Sequence, residues 1–157
     1  MKTDSHAFHA LLHSADLVEA DLRQRLAPLG LQPRQARVLE AMGRIGPVSQ
    51  SDLAAEFGVS PASISTMTDR LLDANYVTRR VDPNSRRKNI LELTEEGRAL
   101  LGGIMEIWTA VDDSLAALLG DDAGSFFARA RELRTALGGT IPGASLPRAK
   151  VGARGRV

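Results

Sequence analysis

Cysteine is absent from the sequence, which excludes disulfides, thiolate metal sites and thiol redox sensing. Aromatic residues are scarce at 4%, four Phe with one Trp and one Tyr. Leu, Ala and Val must therefore supply most of the core, and that material suits helices packed on helices better than a sandwich of sheets. No apolar run reaches the length of a transmembrane helix. The opening MKTDSHAFHALLHSADL has His and Asp where a signal peptide needs an unbroken apolar stretch, so a cytoplasmic protein is expected. A recognisable catalytic grouping is also missing. No Ser has a base and an orienting acid in a familiar arrangement, and Asp112-Asp113 and Asp121-Asp122 read as solvated or capping carboxylates flanking helix ends. An enzyme is not expected, and no cofactor is implied.

An excess of one charge is lacking too: 20 Lys and Arg stand against 19 Asp and Glu. The total says little, but the placing of charge says more. Between Tyr76 and Ile90, Arg79, Arg80, Arg86, Arg87 and Lys88 face only Asp82. A basic patch on a near-neutral chain points to a polyanion, although a charge run can also be no more than a solvated hairpin tip.

What is present, in 157 residues with 43% apolar and 25% charged side chains, is ordinary for one soluble domain or two small lobes sharing a core. Phe8, Leu11, Leu12, Ala15, Val18, Leu22, Leu26 and Leu29 recur at helical spacing and predict a helix from about Ser5 to about Ala27, ended by Pro28 and Gly30. A second helix starts near Pro33, carries Ala36, Val38, Leu39, Met42 and Ile45, and stops at Gly46-Pro47. Ser49, with Asp52 three residues on, caps a short third helix that ends at Gly58. Ser60 caps a fourth, with Pro61 in its first position and Ile64, Met67, Leu71 and Leu72 as its buried stripe. Asn75 is a left-handed terminator in place of Gly. Two strands follow, Val77 to Val81 and Asn89 to Leu93, around the turn residues Asp82-Pro83-Asn84-Ser85. Thr94 caps a long fifth helix stopped by Gly120, and Asp121-Asp122 start a sixth that carries Phe126, Phe127, Ala130, Leu133 and Leu137. From Gly138 the chain is a basic tail rich in Gly and Pro, with little regular structure expected.

A short helix, a tight FGVS turn and a capped second helix have the spacing of a helix-turn-helix, and the ribbon directly after it makes the motif winged. The fold class expected is mainly α with a small two-stranded β-wing and six helices. Double-stranded DNA is the expected partner. Ser60, Ser63, Ser65 and Thr66 are short enough to let the fourth helix approach a major groove closely, while Arg70 suits a phosphate as well as a base. Arg86 stands at the expected tip, where a guanidinium could read a narrowed minor groove. Arg87 and Lys88, with Arg79 or Arg80, would neutralise flanking phosphates.

The segment DRLLDANYVTRRVDPNSRRKNILELTEEG resembles the MarR-type winged-helix transcriptional regulators, and the resemblance extends over about residues 8 to 137. The family's Asp-Arg-Leu helix end, acidic wing with paired arginines and Leu-Thr-x-x-Gly are matched by Asp69-Arg70-Leu71, Asp82 with Arg86-Arg87, and Leu93-Thr94 with Gly97. Asn75 stands where Gly is usual, and Ser85 replaces the second acidic wing residue, leaving Asp82 or Asp69 to orient Arg86. The resemblance implies a homodimer built from the first, fifth and sixth helices, repression at palindromic half-sites, and a small, often aromatic or phenolic, effector bound between the dimerisation and DNA-binding regions. The stripes on those helices are also too long for one small lobe to cover. The organisation expected is a dimerisation helix at 1–32, the winged unit at 33–97, dimerisation helices at 98–138 and the tail at 139–157.

Two further features need placing. His6, His9 and His13, with Asp16 on the same face, have a spacing that could bind a divalent ion, but no second cluster supplies closing ligands, so a polar helix face is the expectation and a metal-responsive regulator the alternative. Trp108 and Met105 are read as core rather than cleft lining. An architectural winged helix that grips DNA without sequence preference is the other competitor.

Overall fold

The computed structural model describes residues 6–141. Ser5 and the tail beyond Ile141 lie outside the described residues. Within them the order is α1 (Ala7–Leu26), α2 (Pro33–Ile45), β1 (Val48–Ser49), α3 (Gln50–Glu56), α4 (Pro61–Asp73), β2 (Val77–Asp82), β3 (Ser85–Leu93), α5 (Glu95–Leu119) and α6 (Ala123–Ala136), with 3-10 turns at Ala27–Leu29 and Gly120–Asp122. The mainly helical, winged architecture agrees with the reading of the sequence. The sheet does not: it has three strands in the order β1-β3-β2, because Val48 and Ser49 pair with Leu91 and Ile90. A strand of two residues, the second of which is itself the cap of α3, is too short for any alternation to register.

Local chemistry explains the boundaries. The Ser49 Oγ accepts from the Asp52 amide at 3.1 Å and caps α3, and the Ser60 Oγ accepts from the Ser63 amide at 3.2 Å and caps α4. Asn75 has φ 59°, the left-handed conformation expected of it, and turns the chain from α4 into β2. Thr94 joins wing to helix: its Oγ1 accepts from the Gly97 amide at 2.9 Å and donates to the Asn75 carbonyl at 2.7 Å. Gly97 is buried against the same corner, where a Cβ would collide with the carbonyl oxygen of Tyr76. That close approach is the physical reason for Gly in Leu-Thr-x-x-Gly.

The core sits in the winged lobe. Leu39, Leu53, Ile64, Leu71, Leu91 and Ile104 are fully buried, drawn from α2, α3, α4, β3 and α5. Burial of each such side chain is worth about 1.5–3 kcal/mol. Thr68, left out of the expected stripe of α4, is fully buried as well, and its hydroxyl donates to the Ile64 carbonyl at 2.9 Å, which makes a polar residue tolerable there.

Outside the lobe the apolar stripes are left open, as expected of helices too long for one small lobe to cover: Phe8 is 54% and Leu12 60% exposed, and only Leu22 and Leu26 of α1 are buried. α6 buries no residue. Other readings need correction. Met105 is 49% exposed, so it is not core in the single chain, and Trp108 is half-buried. Asp112 and Asp113 lie inside α5 on its exposed side rather than at a helix end, because the helix continues to Leu119. Asp121 and Asp122 fall in the 3-10 turn, one residue before α6, and Asp122 makes no side-chain cap. Among the described residues no helix is long and apolar enough to cross a membrane.

Candidate nucleic-acid interface

The unit formed by α3, the turn at Gly58 and α4 is anchored by Leu53 and Ala54 on one helix and by Ile64, Met67, Thr68 and Leu71 on the other. That buried stripe fixes which face of α4 is left outside. Ser63, Thr66, Asp69 and Arg70 are exposed there, Ser60 is exposed at the cap, and Ser65 is half-buried. Several of the hydroxyls are already engaged. Ser60 caps the helix, and the Thr66 Oγ1 donates to the Ala62 carbonyl at 3.2 Å. Among the described residues Arg70 makes no ion pair or side-chain hydrogen bond.

The ribbon carries the remaining cations. Regular pairing of β2 with β3 runs from Val77 opposite Leu93 to Val81 opposite Asn89, and then jumps to Asp82 opposite Ser85. Arg86, Arg87 and Lys88 are thereby looped out of the ladder as three successive bulged residues, all exposed. The Asp82 Oδ1 accepts from the Asn84 amide at 2.9 Å and shapes the turn. Asp69 is held by Arg79, whose guanidinium lies 2.8 Å from its Oδ1 across the gap between α4 and β2. Among the described residues neither carboxylate pairs with Arg86, contrary to the expectation that one of the two would orient it: Asp69 is engaged by Arg79 and Asp82 by its own turn. Arg79 is therefore partly neutralised, whereas Arg80 is exposed and unpaired.

Among the described residues, Arg23, Arg25, Arg37, Arg44, Arg79, Arg98 and Arg129 all make ion pairs. Arg70, Arg80, Arg86, Arg87 and Lys88 make none, and neither does Arg34 at the start of α2. Arg34 was missed from sequence. The one available signal was a cation in the first turn of a helix that has no acid there, a placement the helix dipole disfavours.

Two concave regions lie away from this surface. A cleft of about 350 Å³ opens at the junction of α1, α2 and α5, lined by Val18 and Leu22, by Arg37, and by Trp108, Val111, Asp112 and Leu115. A broader groove of about 600 Å³ runs between α1 and α6 beside Leu11, Phe126, Leu133 and Leu137. His6, His9 and His13 form no metal centre: among the described residues no three His, Cys, Asp or Glu could hold an ion together. The His9 ring packs edge-on against Phe8, with centroids 4.3 Å apart.

Residues 29–88, which span the start of α2 through the bulged cations, match the MarR family. The solved structure of the transcriptional repressor CouR bound to a 23-mer DNA duplex superposes with a TM-score of 0.76 at 29% identity, covering 84% of this chain and 92% of that one. Over residues 29–88 the chain is similar to the MarR family. This is a family of transcriptional regulators, not of enzymes. Similar MarR-family relatives include the uncharacterized HTH-type transcriptional regulator YcgE of Bacillus subtilis (strain 168), 35% identical over 63 residues that make 40% of this chain and 41% of that protein. The HTH-type transcriptional repressor NicR of Pseudomonas putida is 42% identical over 60 residues, 38% of each chain. The chain spans about half the length of the curated relatives it matches.

Proposed function

We propose that this chain is a cytoplasmic, sequence-specific DNA-binding repressor of the MarR type that works as a homodimer on palindromic operators and is released by a small organic effector. One observation carries the DNA-binding part: the winged unit leaves Arg70, Arg80, Arg86, Arg87 and Lys88 without carboxylates, while most arginines elsewhere in the described chain are ion-paired. Cations kept free on a helix-turn-helix and its wing are available to phosphates and groove edges. That NicR is a repressor and CouR a repressor bound to DNA supports the same reading. Residues 33–97 act as the DNA-binding region, with 1–32 and 98–138 as the dimerisation regions, since these helices carry apolar residues that the single chain leaves in solvent.

The effector site is the cleft between α1, α2 and α5. A ligand seated there touches the helices that join the winged lobe to the rest of the chain, and it shifts DNA binding only if it prefers one spacing of the two recognition helices. Gel shift and footprinting with the DNA upstream of the protein's own coding region test the proposal. A short protected palindrome at moderate salt is expected. Binding no tighter than to random DNA would leave the architectural reading instead. For the effector, a thermal-shift screen of aromatic acids and phenols, followed by competition against the protected duplex, should yield a compound that stabilises the protein and releases DNA.

A further inference from the structure

A small cleft of about 170 Å³ between the start of α2 and α4 is lined by Arg34 and Gln35 from the one helix and by Ser63, Thr66, Met67 and Arg70 from the other. That is the volume of roughly five or six waters at ~30 Å³ each, enough for one tetrahedral anion. Two unpaired guanidiniums on one cleft repel each other unless something negative lies between them. Among the described residues no carboxylate lines this cleft, and Asp69, the neighbour of Arg70, is paired with Arg79 at 2.8 Å. Two of the polar groups around the arginines have the same bias. The Gln35 Oε1 already accepts from the Gln32 amide at 2.9 Å, which leaves its NH₂ free to donate. The Ser63 Oγ accepts from Ser60 at 3.1 Å and keeps its own proton to donate. Thr66 is the exception, since its hydroxyl proton goes to the Ala62 carbonyl.

We propose that this cleft holds one phosphodiester of a DNA backbone, gripped jointly by Arg34 and Arg70, as a contact separate from the cap of α4 and from the wing. The assignment rests on the DNA-binding reading above. It gives α2 a direct part in binding, assigns Arg70 to a phosphate rather than a base, and explains why a cation occupies a helix start where an acid would be better placed. Joint use of one phosphate also sets how the two arginines combine. Neutralising one phosphate contributes about 0.9 to the slope of log K against log salt, so removing both arginines should cost about 0.9 per bound protomer, not the ~1.8 of two independent contacts.

The experiment measures binding of the full chain to a random-sequence 25-base-pair duplex, between about 50 and 200 mM salt, with the variants Arg34→Gln, Arg70→Gln, the double variant, Lys88→Gln, and Arg44→Gln as a charge control at the far end of α2, where Arg44 is paired with Glu40. Both cleft residues are exposed, and unchanged melting temperatures will confirm that folding is intact. Expected are a roughly three- to tenfold loss of affinity for Arg34→Gln at 100 mM salt, a slope loss near 0.9 for the double variant, and little change for Arg44→Gln. A slope loss near 1.8 overturns the shared phosphate. No loss for Arg34→Gln, while Lys88→Gln weakens binding, overturns the cleft and leaves the DNA-binding reading standing. If the unmodified protein binds no duplex in a salt-dependent way, both readings fall. A thermal-shift arm with inorganic phosphate separates the sources: stabilisation that Arg34→Gln abolishes, without any change in duplex slope, would make this a free-anion site and overturn the backbone assignment.

Discussion

In the winged lobe, Ile64, Leu71 and Leu91 are fully buried while Arg80, Arg86, Arg87 and Lys88 stand in solvent without carboxylates. In α1 and α6 the arrangement is reversed: Phe8, Leu11, Leu133 and Leu137 are in solvent, while Arg25 and Arg129 are ion-paired with Asp21 and Glu132. A lobe whose apolar side chains are satisfied and whose cations are free is finished as a fold and open toward a polyanion. Arg131 and Arg134 of α6 are exposed and make no ion pair among the described residues, so the contrast rests on the apolar side chains: helices that leave these free remain open toward another apolar surface. On the proposed function a second copy would supply that surface with the same residues, as an isologous contact requires, and the two kinds of incompleteness would then serve one purpose, tying two lobes together on DNA.

The largest effect should come from residues that look dispensable in the single chain. Leu11→Glu with Leu133→Glu changes two exposed side chains that line the α1–α6 groove, and in a monomer such surface changes would stay within about 0.5 kcal/mol. If the groove is a dimer face, sedimentation should give a monomer, and affinity for a palindromic duplex should fall on the order of 10²–10⁴-fold as the second half-site contact is lost. An unchanged mass and affinity would end the dimer reading. Leu71→Ala, in the lobe, should follow with a loss of about 3 kcal/mol in denaturant unfolding, from the missing contacts and the cavity left behind. The contrast sharpens the comparison: the first change alters assembly and the second stability.

Third in size is a change confined to charge. Arg86→Ala should cost about 1–3 kcal/mol of binding and relax any A·T preference at the operator flanks, if this guanidinium reads minor-groove width. Lys88→Ala should lower affinity evenly across sequences and flatten the salt dependence. The two side chains sit in the same three-residue bulge, so equal effects on every duplex would mean that the bulge is an electrostatic anchor without shape readout.

Most of the lobe was legible in the sequence because its signals are local. Ser49, Ser60 and Thr94 act through amides three residues away, and Asn75 through its own φ. The paired part of the wing, Val77–Val81 against Asn89–Leu93, also follows from alternation and turn residues. What could not be read is what depends on partners distant in the chain. The β1 pairing joins residues about 40 positions apart, and Asp69 chose Arg79 over Arg86 because of how α4 lies on β2. Arg34 and Arg70 line one cleft only because the fold brings the start of α2 near α4. The apolar stripe of α1 was correctly seen as a stripe, but periodicity cannot say whether a face is covered by the same chain.

The smallest predicted effect lies at the seam between the two regions. Asn75 is the one described residue other than glycine with positive φ, at 59°, and its carbonyl accepts from Thr94, the residue that starts α5. A left-handed residue with a Cβ costs roughly 1–2 kcal/mol, which Asn lowers by local hydrogen bonding and Gly removes. Gly in turn loses more backbone freedom on folding, which takes back part of that gain. Asn75→Gly should therefore stabilise the protein by only about 0.5 kcal/mol, while Asn75→Ala should destabilise it by about 1 kcal/mol. Neither substitution removes the carbonyl, so the Thr94 hydrogen bond survives in both, and the difference between them isolates the backbone term. Chemical denaturation of the two variants measures it. If Ala is tolerated as well as Gly, the turn between α4 and β2 is held by the packing on either side of it rather than by the conformation of Asn75. The seam would then belong to the lobe, with no independent part in setting how the wing meets α5.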